Sequence, residues 1–128
     1  MKIYLAAKFH ADGRNQVTLD AIQQSLEKEG HEVLLFIRKQ WDSGAPPDPK
    51  KMMHEALAWI DAAGVLMIEA SEKGVGLGIE AGYGYAKGKP IYVVAPRGTE
   101  ISETLLGIAT KVVFYERPSE VGVLFDEL

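Results

Sequence analysis

Residues 65–82 read Val-Leu-Met-Ile-Glu-Ala-Ser-Glu-Lys-Gly-Val-Gly-Leu-Gly-Ile-Glu-Ala-Gly, and this stretch decides the fold of the chain. The run 65–68 is apolar without interruption, which is typical of a parallel strand covered on both faces. Three closely spaced glycines follow it, Gly74, Gly76 and Gly78. A glycine loop that opens a helix gathers free backbone N–H groups around whatever it faces. The segment therefore predicts a buried strand, a ligand-facing loop and a helix.

Glu80 comes directly after these glycines, near the start of the predicted helix. Backbone donors and the positive end of a helix would keep a carboxylate ionised and aimed, which makes Glu80 a candidate nucleophile. The local sequence leaves a second interpretation open. A glutamate at the start of a helix can also serve only to offset the helix dipole.

Short apolar runs alternate with stretches of helical period along the rest of the chain. Strands are predicted at Ile3–Ala7, Val33–Ile37, Val65–Ile68, Ile91–Ala95 and Val112–Tyr115. Helices are predicted from Leu19 to Gly30, from Pro49 (capped by Asp48) through Ile60, from the glycine loop to Gly88, from Ser102 to Ile108, and from Ser119 towards Leu128. Residues 38–49 contain three prolines, so we predict an irregular excursion that forms a lid or a partner surface.

Strands that alternate with helices imply right-handed crossovers and a parallel sheet between two helical layers. We predict a single three-layer α/β domain over residues 1–128, with a five-stranded parallel sheet in the flavodoxin-like, Rossmann-like order 2-1-3-4-5. Ligands of such sheets bind outside the carboxyl ends of the strands, where the strand order switches. The loop Lys8–Arg14 and the glycine loop are then expected to face each other across this crevice.

Composition excludes several classes of function. The formal net charge is −4 and no run of Lys or Arg is long enough to track a nucleic acid backbone. The chain has no cysteine, so disulfides, thiolate metal sites and thiol catalysis are excluded, and the three histidines do not cluster. The apolar start breaks at Lys8, too soon for a signal peptide or a membrane span. We expect a cytoplasmic protein with a small-molecule partner, no nucleic acid, no membrane, and no metal or other cofactor.

The glycine loop also matches a dinucleotide fingerprint. Gly76–Ala81 fits G-x-G-x-x-G/A, which is a weak indication when it stands alone. The fingerprint normally follows the first strand, whereas this loop follows the third. Glu80 would also place a negative charge beside the pyrophosphate. Dinucleotide binding is therefore the less favoured interpretation of the loop.

Three groups of residues carry a resemblance to a known family. They are Lys2–Ala6 at the first strand, Ala58–Ala63 before the third, and Gly76–Tyr83 followed by Gly88-Lys89-Pro90. In these groups the chain resembles the nucleoside 2-deoxyribosyltransferase superfamily, and within it most closely the deoxynucleoside 5′-monophosphate N-glycosidases. The resemblance reaches about Lys111. It implies cleavage or transfer of the N-glycosidic bond of a (deoxy)nucleoside or its 5′-monophosphate, and a homodimer or larger homo-oligomer.

The resemblance also implies residue roles. Glu80 would attack the anomeric carbon of the sugar, with the phenol of Tyr4 close to it. The backbone N–H groups of Gly76 and Gly78 would hold the 5′-phosphate, together with Ser102 reached from a neighbouring subunit. Gly74 stands where relatives carry a residue that selects between substrates. Lys8 and Arg14 are further candidates for phosphate contact.

One departure from the family pattern bears on activity. Relatives carry an aspartate three residues before the helical tryptophan, where it helps to protonate the departing base, and this chain has Ala56 there. Glu55 and His54 point elsewhere around a helix. Glu69 and Glu72, at the end of the third strand, could instead protonate a base. Two alternatives therefore stay open: a non-catalytic nucleotide or nucleotide-sugar binding protein, and a hydrolase of ribonucleotides.

Overall fold

Strand β3 (Val65–Glu69) is the centre of the sheet, and all five of its residues are buried. The computed structural model describes residues 1–127. The other strands are β1 (Lys2–Ala6), β2 (Glu32–Leu34), β4 (Ile91–Pro96) and β5 (Lys111–Tyr115). They are all parallel and lie in the order β2-β1-β3-β4-β5. The predicted α/β architecture and its strand order are confirmed.

Six α-helices connect and cover these strands in the described part of the chain. They are α1 (Gln16–Lys28), α2 (Phe36–Ser43), α3 (Pro49–Ala62), α4 (Val75–Ala86), α5 (Glu103–Leu106) and α6 (Val121–Asp126), the last preceded by a 3-10 turn at Pro118–Glu120. Asp48 caps α3 as predicted, since its carboxylate accepts a hydrogen bond from the backbone N–H of Lys50 at 3.1 Å. Within residues 1–127, none of the helices is long and apolar enough to cross a membrane.

Alternating residues of β1 contribute to two separate cores. Ile3 and Leu5 pack with residues of α1 and α6 on one face of the sheet. Tyr4 and Ala6 pack with residues of α3 and α4 on the other. This alternation follows from the two-residue period of a strand. It directs the side chain of Tyr4 towards the helix that begins at the glycine loop.

The structure corrects the prediction for residues 33–49. The second strand ends at Leu34 instead of Ile37, and Phe36–Ser43 forms α2, which includes the last two residues predicted as strand and the first six of the stretch predicted to be irregular. Phe36 is buried in the Tyr4 core, while Trp41 packs against the opposite core. Burial of these side chains favours a helix that leaves the edge of the sheet over a longer strand. Gly44, with φ of +63°, ends the helix.

The C-terminal segment is anchored on α1 by a very close contact. The backbone N–H of Gly122 donates to Ser25 Oγ at 3.0 Å, and Ser25 Oγ donates to the carbonyl of Ile22 at 2.8 Å. A Cβ built at Gly122 would lie 2.1 Å from the carbonyl oxygen of Ser25, so only glycine fits there. The predicted helix from Ser119 is thus a 3-10 turn followed by α6, and its expected end at Leu128 lies outside the described residues.

Candidate active site

A hydrogen bond between Tyr4 and Glu80 joins the first strand to the glycine-loop helix. Tyr4 is 1% exposed, and its hydroxyl donates to Glu80 Oε2. Glu80 lies in the second turn of α4, 76 residues further along the chain. The pairing depends on two independent features, the inward position of Tyr4 on β1 and the start of α4 at Val75. The structure therefore brings the two residues predicted as catalytic into direct contact.

Burial sets the electrostatics of this pair. It raises the pKa of the Glu80 carboxyl above its ordinary value, and the hydrogen bond from Tyr4 partly opposes that rise. Burial and the neighbouring Glu80 carboxylate raise the pKa of Tyr4, so its phenol stays protonated. The sequence had suggested that loop donors and the helix end would keep Glu80 ionised. Instead, Tyr4 is the hydrogen-bond partner of its carboxylate among residues 1–127.

The Glu80 carboxyl group faces a cavity of about 370 Å³. The wall is formed by the loop after β1, by α2 and α3, and by the glycine loop. Most of the side chains that line it are apolar or aromatic: Ala7, Phe9, Phe36, Ile37, Pro47, Met52, Met53, Ala56, Val75 and Leu77, with Lys8, Gln40, Gly74, Gly76 and Glu80 completing the lining. The cavity, henceforth the Glu80 cavity, has the size and the mostly apolar character of a small-molecule site.

The glycine loop reaches this cavity through Gly74 and Gly76. Gly76 lies in the first turn of α4, and a Cβ built there would lie 3.8 Å from Oε1 of Glu80, one turn further along the helix. Lys8 follows β1 and lies against the same loop, since a Cβ at Gly74 would lie 3.8 Å from its Cγ. The two loops that were predicted to face each other do so, and His10 Nε2 lies 2.5 Å from Glu72 Oε2.

Two of the predicted binding residues lie outside the Glu80 cavity. Gly78 and Ser102 line a second cavity of about 380 Å³ on another side of the glycine loop, and this cavity contains neither Tyr4 nor Glu80. Within the chain, Ser102 caps α5, because its hydroxyl accepts from the backbone N–H of Leu105 at 3.4 Å. A single copy of the chain therefore does not bring Ser102 to Glu80.

Arg14 is also separated from Glu80. Its guanidinium is paired with Asp12, with the shortest contact at 2.9 Å between Nη2 and Oδ2. It lines a third cavity of about 250 Å³ that it shares with Lys8 and Ser71. Of the two predicted cations, only Lys8 therefore lies in the wall of the Glu80 cavity.

The other carboxylates considered as proton donors form hydrogen bonds or ion pairs outside the Glu80 cavity. Glu69 is 5% exposed and accepts three hydrogen bonds, from Ser71 N at 2.8 Å, Ser71 Oγ at 2.5 Å and Tyr115 Oη at 2.6 Å. Glu72 pairs with His10, and Glu55 pairs with Lys39. None of the three carboxylates lines the Glu80 cavity in the part of the chain that the structure describes.

Sequence reasoning missed the wall that α2 supplies. Phe36, Ile37 and Gln40 of this helix line the Glu80 cavity. Trp41 fixes the helix to the loop after β1, because its indole N–H donates to the carbonyl of His10 at 2.7 Å and its ring stacks on Phe9 with centroids 6.2 Å apart. The spacing of these side chains is the helical signal that could have revealed the wall, but the nearby prolines obscured it.

Comparison with known proteins places the chain in a family. Residues 3–122 match the family model described as nucleoside 2-deoxyribosyltransferase. The chain belongs to this family. As a member of the nucleoside 2-deoxyribosyltransferase family, it is an enzyme of the N-glycosidase or transferase type, as its sequence had predicted.

Individual members resemble the chain over most of its length. A Thermofilum pendens protein with the name 2′-deoxynucleoside 5′-phosphate N-hydrolase 1 is 29% identical over 99 residues, which cover 76% of this chain and 69% of that protein. The 2-deoxyribosyltransferase of Bacillus psychrosaccharolyticus superposes with a TM-score of 0.75 at 23% identity, over 95% of this chain and 90% of that one. The CMP N-glycosidase of Clostridium botulinum gives 0.69 at 17% identity, over 98% and 99%. These two solved structures share the fold of this family member.

Proposed function

We propose that this chain cleaves or transfers the N-glycosidic bond of a (deoxy)nucleoside or its 5′-monophosphate, with Glu80 as the nucleophile. The observation that carries the proposal is the contact of the Glu80 carboxylate with the buried Tyr4 phenol at the wall of a sugar-sized and base-sized cavity. Membership of the nucleoside 2-deoxyribosyltransferase family supports the type of reaction.

The first half of the reaction forms a glycosyl ester. A Glu80 carboxylate oxygen bonds to the anomeric carbon as the carbon–nitrogen bond breaks, and the electron pair of that bond leaves with the base. The transition state resembles an oxocarbenium ion, which a nearby carboxylate stabilises electrostatically before it captures the carbon. The half-buried position of Glu80 strengthens this interaction, because little water screens it.

The second half releases the sugar. Water, or the ring nitrogen of a second base, attacks the anomeric carbon and returns the electron pair of the ester bond to Glu80. When water attacks, one of its protons passes to the departed base or to solvent, and the product is the free sugar. When a base attacks, the product is a new nucleoside. The Tyr4 hydroxyl keeps its proton and donates a hydrogen bond to Glu80 Oε2, which fixes the orientation of the carboxylate.

The glycine loop is proposed to hold the 5′ end of the substrate. Gly76 lies beside the carboxylate and Gly74 beside Lys8, so an anionic 5′ group in this position would meet backbone N–H donors and one cation. Gly78 and Ser102 line a separate cavity, and we propose that they act on the substrate of a second copy of the chain. Arg14, paired with Asp12, is proposed to attract phosphate only at long range.

A homodimer or larger homo-oligomer is part of this proposal. The outer face of α4, next to the Glu80 cavity, exposes apolar side chains: Val75 is 82% exposed, Ile79 50% and Tyr85 57%. A second copy of the chain would cover this face and complete the site. Light scattering should give at least twice the monomer mass, and Tyr85→Glu should shift the distribution towards the monomer. A monomeric wild type at micromolar concentration would contradict the proposal.

The reaction is tested with a panel of substrates. The purified protein is mixed with ribonucleosides, deoxynucleosides and their 5′-monophosphates, and free base is followed by chromatography with and without an added acceptor base. Glu80→Gln should reduce release of base by about a thousandfold or more. Glu103→Gln, which removes an exposed carboxylate from α5, is the matched control and should retain the wild-type rate. Base released only from ribose substrates would identify a hydrolase of ribonucleotides and exclude deoxyribose substrates.

Ala56 favours a second candidate function. It lies in the wall of the Glu80 cavity, and among residues 1–127 no acidic side chain other than Glu80 lines that cavity. A protein that keeps the cavity and loses turnover would bind a nucleotide or a nucleotide sugar without changing it. Tight binding by calorimetry, unaltered in Glu80→Gln and without any release of base, would establish this second function.

A further inference from the structure

The Glu80 cavity contains very few groups that can carry a proton. Of the fifteen described residues that line it, Lys8 and Glu80 alone have ionisable side chains. The Tyr4 hydroxyl does not line the cavity, and it already donates a hydrogen bond to the Glu80 carboxylate. Gln40 contributes an amide, which donates hydrogen bonds but does not release a proton. The scarcity of proton-donating side chains in the cavity therefore limits which substrates can react there.

Neither ionisable group is an effective acid for a departing base. Glu80 uses its carboxylate to form the bond to the sugar in the same step. The Lys8 side chain lies against the glycine loop, with Cβ and Cγ about 4 Å from the position that a Gly74 side chain would take. A lysine ammonium is also a much weaker acid than a carboxylic acid. The wall opposite the loop, where α2 and α3 meet, is apolar apart from Gln40.

The missing acid matters only for some leaving groups. A neutral purine or pyrimidine departs with the electron pair of the carbon–nitrogen bond and becomes an anion unless it gains a proton. A positioned acid in such a step is typically worth about 10²-fold to 10⁴-fold in rate. A base that carries a positive charge on its ring behaves differently. The same electron pair neutralises that charge, so the base leaves as a neutral molecule and no proton moves.

The lining of the cavity suits a flat organic cation. Phe9 and Phe36 present aromatic rings, and Met52 and Met53 present polarisable thioethers. Aromatic faces attract cations that have lost their water, and thioethers adapt to flat aromatic groups. The Glu80 carboxylate supplies the opposite charge at the sugar end. A delocalised cation is therefore favoured in this cavity over a compact and strongly hydrated one.

We propose that the substrates of this chain are N-glycosides of cationic bases, such as N7-alkylated purines or N-glycosyl pyridinium compounds. The proposal rests on the proposed function, because it assumes that Glu80 attacks the anomeric carbon. It assigns Ala56 a part in specificity: the small side chain leaves the base without an acid and so favours leaving groups that need none.

The test compares matched pairs of substrates that differ in charge. The probes are 7-methylguanosine 5′-monophosphate against guanosine 5′-monophosphate, the corresponding nucleosides and deoxynucleosides, and nicotinamide mononucleotide as a pyridinium compound. Release of base is followed by chromatography, and the rate without enzyme is subtracted because cationic glycosides also hydrolyse spontaneously. We expect kcat/KM for the cationic member to exceed that of its neutral partner by about 100-fold or more.

Two variants at Ala56 separate proton donation from shape. Ala56→Asp places an acid in the wall of the cavity and should accelerate cleavage of the neutral substrate. The ratio of kcat/KM for the cationic substrate to kcat/KM for its neutral partner should then fall about tenfold or more. Ala56→Asn has nearly the same shape but no acidic proton, and should leave the ratio wide. If both variants fail to fold, the ratio measured with the wild type still decides the question.

The possible failures are distinguishable. Neutral and cationic partners cleaved within about tenfold of each other would overturn the cationic-substrate proposal and leave the N-glycosidase proposal standing. The cationic-substrate proposal would also be overturned if Ala56→Asn lowered the ratio of kcat/KM for cationic and neutral substrates as much as Ala56→Asp does. The shape of the side chain, and not its acidity, would then be the cause of the change. No release of base from any probe, cationic or neutral, would overturn both proposals.

Discussion

Removal of one hydroxyl group, by Tyr4→Phe, tests the coupling between the two central residues of the site. The phenol donates to Glu80 and so favours the ionised carboxylate, whereas burial opposes ionisation. A hydrogen bond to a charged group is worth about 1.5–3 kcal/mol, and one pKa unit corresponds to about 1.4 kcal/mol. The substitution should therefore raise the pKa of Glu80 further and, on the acid side of the pH profile, lower kcat/KM by about 10-fold to 100-fold.

The pH dependence of kcat/KM is the measurement. Glu80 must be ionised to attack, so the rate falls as the pH drops through the pKa of Glu80. In Tyr4→Phe this acid limb should lie at a higher pH than in the wild type. The cleaved substrate is the best one found in the panel of nucleosides and nucleotides, and its free base is quantified by chromatography across the pH range.

Tyr115→Phe is a closely matched control. Tyr115 also donates to a buried carboxylate, Glu69, at 2.6 Å, but this pair lies outside the Glu80 cavity. Its loss should lower stability without moving the acid limb. The reasoning is refuted if Tyr4→Phe leaves the limb in place or shifts it to lower pH, or if Tyr115→Phe shifts it equally.

Three further predictions concern stability, each measured by urea denaturation. Burial raises the pKa of Glu80 in the native state above its value in the unfolded state, so the native state binds more protons at a pH between these two pKa values. The free energy of unfolding therefore falls as the pH rises through this range. Glu80→Gln should remove this pH dependence and be more stable than the wild type at a pH above the range. Gly84→Ala should cost about 1–3 kcal/mol, because its Cβ would lie 2.6 Å from a methyl of Leu66. Gly122→Ala should cost more than Gly84→Ala, since its Cβ would collide with a backbone carbonyl of α1 and not with a flexible side chain; equal losses for the two variants would contradict this.

The sheet could be predicted because its strands are buried on both faces. The run that forms β3 is apolar at every position but the last, and helical stretches separate it from its neighbours. Such a pattern leaves few topologies. The pairing of Tyr4 with Glu80 followed from the resemblance to a family and not from periodicity, since 76 residues separate them. Local sequence carries no information on a contact of that length.

The walls of the site could not be predicted with the same success. Helix α2 begins two residues after the three-residue edge strand β2, too close for the period to separate a strand from a helix. Its placement depends on contacts with distant segments, above all the hydrogen bond from Trp41 to His10. Ser102 follows β4, so the strand order places it on another side of the glycine loop. Both outcomes depend on tertiary packing.

Glu69 and Glu80 illustrate how one fold can surround one carboxylate with several donors and leave another with a single donor. Three donors hold Glu69, whereas Tyr4 alone, in the described chain, holds Glu80 and leaves its other oxygen above Gly76. Protein engineers who wish to alter base preference should therefore confine new amide or hydroxyl groups to the α2 wall. In the proposed mechanism, a polar side chain introduced beside Gly76 would form a hydrogen bond to the second oxygen of Glu80 and weaken it as a nucleophile.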